Sequence, residues 1–207
     1  MSLFFAFAAV HNLAVASPGP DFVLVMRNSL LFGRHAGIWT TSGISLAVSI
    51  HVTGCFLGIG MLAVQFPGVL RFFQLIGAAY LAAIGARMLL HSKHAKGLQV
   101  DPGNEVKQLA AYKAFRMGLL CNLLNPKASL FFWTFWAQFM RLQPSFSLQV
   151  ALAIYAVASA AIWFMALSVL LSSHAIAQRL VPWQNRISRL GGLILLSFAL
   201  SVGLAAS

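Results

Sequence analysis

Two short stretches of this chain set proline, amide and charge side by side: Ser17-Pro18-Gly19-Pro20-Asp21 and Asn122-Leu123-Leu124-Asn125-Pro126-Lys127. Pro18 and Pro20 have no amide hydrogen to give and Gly19 frees the backbone between them, so an unbroken helix is not expected there. Pro126 interrupts the second stretch, where Asn122 and Asn125 can satisfy the carbonyls it releases. When Pro20 is set on Pro126, Asp21 falls on Lys127, so each stretch presents a proline followed by a charge of opposite sign. Both lie in apolar runs. A charge at the centre of a bilayer costs about 2.5–3.5 kcal/mol on insertion scales, and by default such a residue marks an ion or substrate path. The competing reading is plainer: prolines that only kink helices, and a structural ion pair.

Unwound backbone at two breaks leaves amides and carbonyls aimed into the same space, which suits a ligand with a negative and a positive end. An amino acid has that polarity. On this reading Lys127 and the amides of the breaks receive the carboxylate. Asp21 and nearby carbonyls, with Asn122 or Asn125, receive the ammonium. The candidate site is therefore Pro18, Gly19, Pro20, Asp21, Asn122, Asn125, Pro126 and Lys127. His51, near the middle of an apolar run, is either a proton relay or a histidine bonded to a neighbouring carbonyl. His11 lies nearer the end of its run and ranks below it. Trp133, Trp136 and Trp163 are assigned no role.

The chain offers no nucleophile with a base, no metal-ligand set and no cofactor fingerprint, so neither an enzyme nor a resident metal or cofactor is expected. Cys55 and Cys121 sit apart in apolar runs without a CxxC or Cys/His pattern and read as small apolar residues.

The elements that must position these residues follow from composition. Of 207 residues 60% are hydrophobic and 8% charged, with a mean hydropathy of +0.84, a balance suited to lipid rather than water. A spanning helix needs roughly 20 apolar residues. Six apolar segments can be drawn, at Leu3–Met26, Ile38–Phe66, Val69–Leu90, Ala114–Met140, Leu148–Leu171 and Leu190–Ala206. The sixth is short, and Gly191-Gly192 leaves open whether it begins a turn earlier. Residues 92–112 form the one long polar stretch, read as a loop joining halves 1–91 and 113–207 of a single transmembrane domain. A cleavable secretory leader is the alternative for the N-terminus, since Ala14-Val15-Ala16 resembles a cleavage site. Residues 1–16 carry no Lys or Arg, so the segment reads as a retained first helix.

The formal charge is +11. Its distribution argues for orientation rather than nucleic-acid binding, because no basic run is interleaved with aromatics. Eleven of the 14 basic residues flank the first, third and fifth connections: Arg27 and Arg34; Arg87, Lys93, Lys96, Lys107, Lys113 and Arg116; Arg179, Arg186 and Arg189. Positive residues favour the cytoplasm, which puts both termini in the periplasm and the long loop inside. Three spans on either side of that loop make the two halves an inverted repeat, the 3+3 plan of many secondary transporters, with helices 1 and 4 the broken pair.

These residues resemble the LysE/RhtB amino-acid exporters over essentially the whole chain. The resemblance is carried by Ser17-Pro-Gly-Pro-Asp-Phe-Val-Leu-Val, Gly33-Arg-His-Ala-Gly37 and Gly43-Ile, then Gly77-Ala-Ala-Tyr-Leu-Ala-Ala-Ile-Gly85 and Gly118-Leu-Leu-Cys-Asn-Leu-Leu-Asn-Pro-Lys-Ala128. It implies efflux of small amino acids or derivatives across the bacterial inner membrane, driven by proton antiport; small exporters of this size often pair, so a homodimer stays open. The Pro-Gly-Pro-Asp form and the preceding Val10-His11 look most similar to threonine and homoserine exporters. Many similar members carry Asn after the second proline, so the resemblance does not make Asp21 an obligatory proton carrier. Two alternatives stay open at this point: a membrane thiol-redox carrier, which the unmatched positions of Cys55 and Cys121 disfavour, and a gated channel.

Overall fold

The computed structural model describes residues 2–58, 66–91, 109–136, 142, 144–173 and 183–206. Among them every regular element is helical. Most of the joining loop, residues 92–108, lies outside the described residues, as do 59–65 and 137–141 at the ends of the second and fourth apolar segments.

Helix α1 (Ser2–Ala16) stops where the prolines dictate. Gly19 is fully extended at φ −173°, ψ −172°, and α2 (Pro20–Phe56) opens with Pro20 in its first turn, where a missing amide costs nothing. Asp21 occupies the same turn, the end of the helix dipole that favours an anion. The axes of α1 and α2 differ by 53° across the break.

Helix α2 is itself folded back. Gly33 has φ 80°, ψ −177°, a left-handed conformation that favours glycine. Asn28 Nδ2 donates to Thr40 Oγ1 at 2.9 Å, and a Cβ on Gly37 would collide with Ser29 Oγ. Residues twelve apart in a straight helix would be about 18 Å distant, so residues 20–32 and 34–56 are two arms of a hairpin. The second arm starts at 34 rather than at Ile38. Gly37 accounts for that, because its lack of a side chain admits Ser29 of the opposite arm.

Helix α3 (Pro67–His91) follows, then α4 (Ala111–Leu123), which ends at a second break over Leu124 and Asn125. Asn125 caps α5 (Pro126–Leu130), its side chain accepting from Lys127 N at 3.1 Å. The chain then widens into a π turn over Phe131–Phe135. Helix α6 (Phe146–Leu171) begins at Ser145, whose Oγ accepts from Leu148 N. Helix α7 (Gln184–Ala206) begins six residues before Leu190. Its Gly191-Gly192 pair does not end the helix. A Cβ on Gly192 would stand 2.8 Å from Gly85 O, and one on Gly85 would stand 2.8 Å from Gly192 O, so the glycines set how closely α3 and α7 approach. Gly43 and Gly118 do the same for α2 and α4, facing Phe115 O and Thr40 O respectively.

Among the described residues, Phe146–Leu171 and Asn185–Leu204 are each long and apolar enough to cross a bilayer alone, and the bent pair Leu3–Ala16 with Pro20–Phe56 makes a third candidate. The molecule is thus a polytopic helical membrane protein. Its surface agrees, since Leu13, Phe146 and Ile162 are each about 70% exposed, a surface that lipid accepts and water does not. Two buried apolar clusters lie inside. One joins Phe7 of α1, Ile44 and Val48 of α2, Phe132 of the π turn and Ala156 of α6. The other joins Val23 and Leu24, Leu81, Cys121 and Leu195. Val25 belongs to the first cluster and its neighbours Val23 and Leu24 to the second, so the arm carrying Asp21 runs along the seam between them.

Candidate functional site

The two breaks meet. Asp21 Oδ2 accepts from Asn122 Nδ2 at 2.8 Å and from Asn125 Nδ2 at 3.0 Å, so the first-half carboxylate is held by both second-half amides. Lys127 Nζ crosses the other way, donating to Ser17 O at 3.0 Å and to Ser17 Oγ. A cation there also sits at the C-terminal end of α1, where the helix dipole favours it. The charges do not bond to each other. Each is bound to the neutral edge of the opposite break.

Gly19, Pro20, Asp21, Asn122, Asn125 and Lys127 all line one cavity of about 50 Å³. From wall to wall the space is about 7 Å across, the size of a small amino acid. Phe22, Phe131, Phe132 and Phe164 form its apolar walls. Pro18 is exposed and outside this lining. Pro126 is buried and packs towards Gly77, also outside the lining.

The two histidines differ in surroundings. His51 Nε2 lies 3.3 Å from Asn122 O and its ring stacks on Phe132 at 5.7 Å, but it does not line the cavity. His11 does line it. Its Nε2 lies 3.1 Å from Ala156 O, 145 residues away. A carbonyl only accepts, so Nε2 carries the hydrogen and Nδ1 is left as an acceptor. The ring is held by stacking on Phe7, at 5.6 Å and 11° between planes. Sequence reasoning ranks His11 low because it lies nearer the end of its run, and no local pattern shows the Ala156 carbonyl of α6 that fixes its tautomer. It also misses Ser17 as the partner of Lys127.

Three of the acceptors on the cavity's lining residues have no donor. Asp21 Oδ1, Asn122 Oδ1 and His11 Nδ1 are all buried without a hydrogen-bond partner; the Cys121 thiol approaches the same carboxylate. Each unsatisfied buried group costs about 1–3 kcal/mol. Three residues of one cavity lining thus each carry an acceptor without a donor, a chemistry that matches a group with several hydrogens to give. Among the described residues no cluster of His, Cys, Asp and Glu is arranged to hold a metal. The two cysteines are unbridged and belong to different apolar clusters.

A polytopic helical bundle with a charge-bearing pocket where interrupted helices meet defines the class: a helical membrane protein with a small polar cavity at its interrupted helices. Residues 13–205 match the family described as LysE type translocator, and the chain belongs to that family, as its motifs led us to expect. Its members are transporters, not enzymes. The chain is 28% identical to the uncharacterized membrane protein YrhP of Bacillus subtilis over 97% of its own length and 98% of that protein's. It is 30% identical to a threonine efflux protein of Salmonella typhimurium over 68% of each chain, and 27% identical to a leucine efflux protein of Klebsiella pneumoniae over 88% of this chain and 85% of the other. No solved structure matches the chain.

Proposed function

We propose that this protein exports small amino acids or their derivatives, of the threonine or homoserine type, from the bacterial cytoplasm by proton antiport. The observation that carries the reading is the trio of unpartnered acceptors, Asp21 Oδ1, Asn122 Oδ1 and His11 Nδ1, around one cavity. A primary ammonium has three hydrogens to match them. The carboxylate of the same substrate goes to Lys127 Nζ and to the first amides of α2, which have no side-chain cap. The first amide of α5 is not among its partners, because Asn125 already occupies it. Relatives named as threonine and leucine efflux proteins support an amino-acid substrate.

Antiport follows from competition at one atom. A proton on Asp21 Oδ1 and an ammonium bonded to it exclude each other, so loading one releases the other. This route does not need His51, whose ring nitrogen faces the Asn122 carbonyl. Breaks preceding Pro20 and Pro126 support a 3+3 inverted repeat joined by a cytoplasmic loop, and the Lys/Arg distribution supports periplasmic termini in the inner membrane.

The test is efflux of labelled amino acids from cells with and without the gene, repeated as counterflow in vesicles. Threonine should exchange saturably and collapse with an uncoupler, whereas N-acetylthreonine, which lacks the ammonium, should not compete. Equal competition by the acetylated compound would remove the acceptor trio from recognition. Flux that does not saturate would mark a channel instead.

A further inference from the structure

A second cavity, of about 320 Å³, opens between α2, α3 and α4 at the end of the bundle where His91 and Leu109 bracket residues 92–108. Its chemistry is the opposite of the first. Arg27, Arg87 and Lys113 line it together with Tyr80, and Phe32 and Met117 contribute apolar wall. Arg27 is fixed in place: its Nη1 donates to Asn28 Oδ1 at 3.2 Å, and Asn28 Nδ2 donates in turn to Thr40 Oγ1 at 2.9 Å. Thr40 Oγ1 donates to Ala36 O at 2.8 Å, and Asn28 and Thr40 are fully buried. The guanidinium also lies 5.5 Å from the centre of the Phe32 ring. After all these contacts Arg27 Nε remains buried with no partner. An oriented donor left unused beside two further cations is chemically matched to an anion.

The substrate is a poor candidate, since its own ammonium would meet three positive charges. Inorganic phosphate would use the cations and leave the apolar wall bare. An amphiphile uses both. We infer that this cavity binds the phosphodiester headgroup of an anionic phospholipid, with Arg27, Arg87 and Lys113 around the phosphate and the glycerol and first acyl carbons against Phe32 and Met117. The location agrees, because basic pockets between helices on the positive side of a membrane protein take such headgroups. The two cavities share no residue, so lipid binding here is independent of the substrate reading.

The experiment uses the purified full-length protein in detergent, titrated with phosphatidylglycerol, phosphatidylcholine or inorganic phosphate, and read by native mass spectrometry and thermal melting. Phosphatidylglycerol should be retained and should raise the melting temperature, with little effect from the other two. Arg87→Gln and Lys113→Gln should each weaken that lipid about fivefold, while Arg87→Lys should retain it, which separates lost charge from lost fold. Equal retention of phosphatidylcholine would make the site a generic lipid contact, and equal protection by phosphate would make it a free-anion site. Unchanged phosphatidylglycerol binding in both neutral variants would place the lipid elsewhere. No retention at all would leave the cations to another anion, such as Asp101 or Glu105 of the chain itself. Any of these four outcomes overturns the inference.

Discussion

Replacing Asp21 by Asn separates binding from folding. In the native protein Oδ2 takes both asparagine donors and Oδ1 takes none. The single oxygen of the substituted amide can keep Asn122 and Asn125 satisfied, and a buried charge disappears, so the unfolding temperature in detergent should hold or rise. The amide nitrogen then stands where Oδ1 stood and turns a donor towards the substrate ammonium. Losing a hydrogen bond to a charged acceptor is worth about 1.5–3 kcal/mol, a rise of about 10- to 150-fold in the half-saturating concentration for efflux. Asp21→Ala differs in kind, because it strands both asparagine donors at about 1–3 kcal/mol each and should unfold at lower temperature. The assay pairs concentration-dependent efflux from preloaded vesicles with thermal melting of the two variants. Wild-type concentration dependence in the Asp21→Asn variant would refute the assignment of the ammonium to Asp21. A shared drop in stability would refute the hydrogen-bond geometry beneath it.

His11→Phe keeps the stack on Phe7 and removes a neutral acceptor worth about 0.5–1.5 kcal/mol, so half-saturation should rise about 2- to 12-fold, while His51→Phe should leave it unchanged; vesicle efflux compares them. Lys127→Met should erase the preference for threonine over its methyl ester, measured by competition. Gly43→Ala or Gly118→Ala drives a methyl into backbone of the facing helix and should cost about 1–3 kcal/mol, seen in thermal melting, whereas Gly203→Ala meets open space and should be neutral or slightly stabilising. The double change Cys55→Ala and Cys121→Ala should export normally in cells; lost transport in well-folded protein would revive a redox role.

The breaks were legible because their causes are local. A proline lacks its amide wherever it lies, and the Pro20/Pro126 match sets Asp21 and Lys127 in equivalent positions, which line one cavity in the structure. What escaped was everything set by distant partners. The hairpin at Gly33 depends on Gly37 receiving Ser29 from the opposite arm, and nothing within the second apolar segment itself marks that. His51 lies near the middle of its segment, but that its nitrogen faces the Asn122 carbonyl is set by a helix 71 residues away. His11 acquires a free acceptor only through Ala156. The widening of the chain into a π turn at Phe131–Phe135 has no sequence pattern that we can identify. The competing reading of Asp21 and Lys127 as an ion pair is reasonable for opposite charges in lipid, but in the structure amides and a serine take their place as partners.

That exchange of partners bears on how the two halves move. In lipid no backbone or charged group can be left to water, and here the needs of each break are met from the other. Lys127 caps the end of α1 through Ser17, and Asn122 and Asn125 hold Asp21 at the start of α2. Separating the halves without a ligand would strip all five groups at once, which disfavours an empty leak. In the proposed reading a substrate carboxylate draws Lys127 away from Ser17, and its ammonium occupies Asp21 Oδ1. The ligand then supplies, from within the cavity, the counter-charges that the opposite half had been supplying. On that reading occupancy is what permits rearrangement, and a proton on Asp21 would serve the return step because it too neutralises the carboxylate that the asparagines otherwise hold.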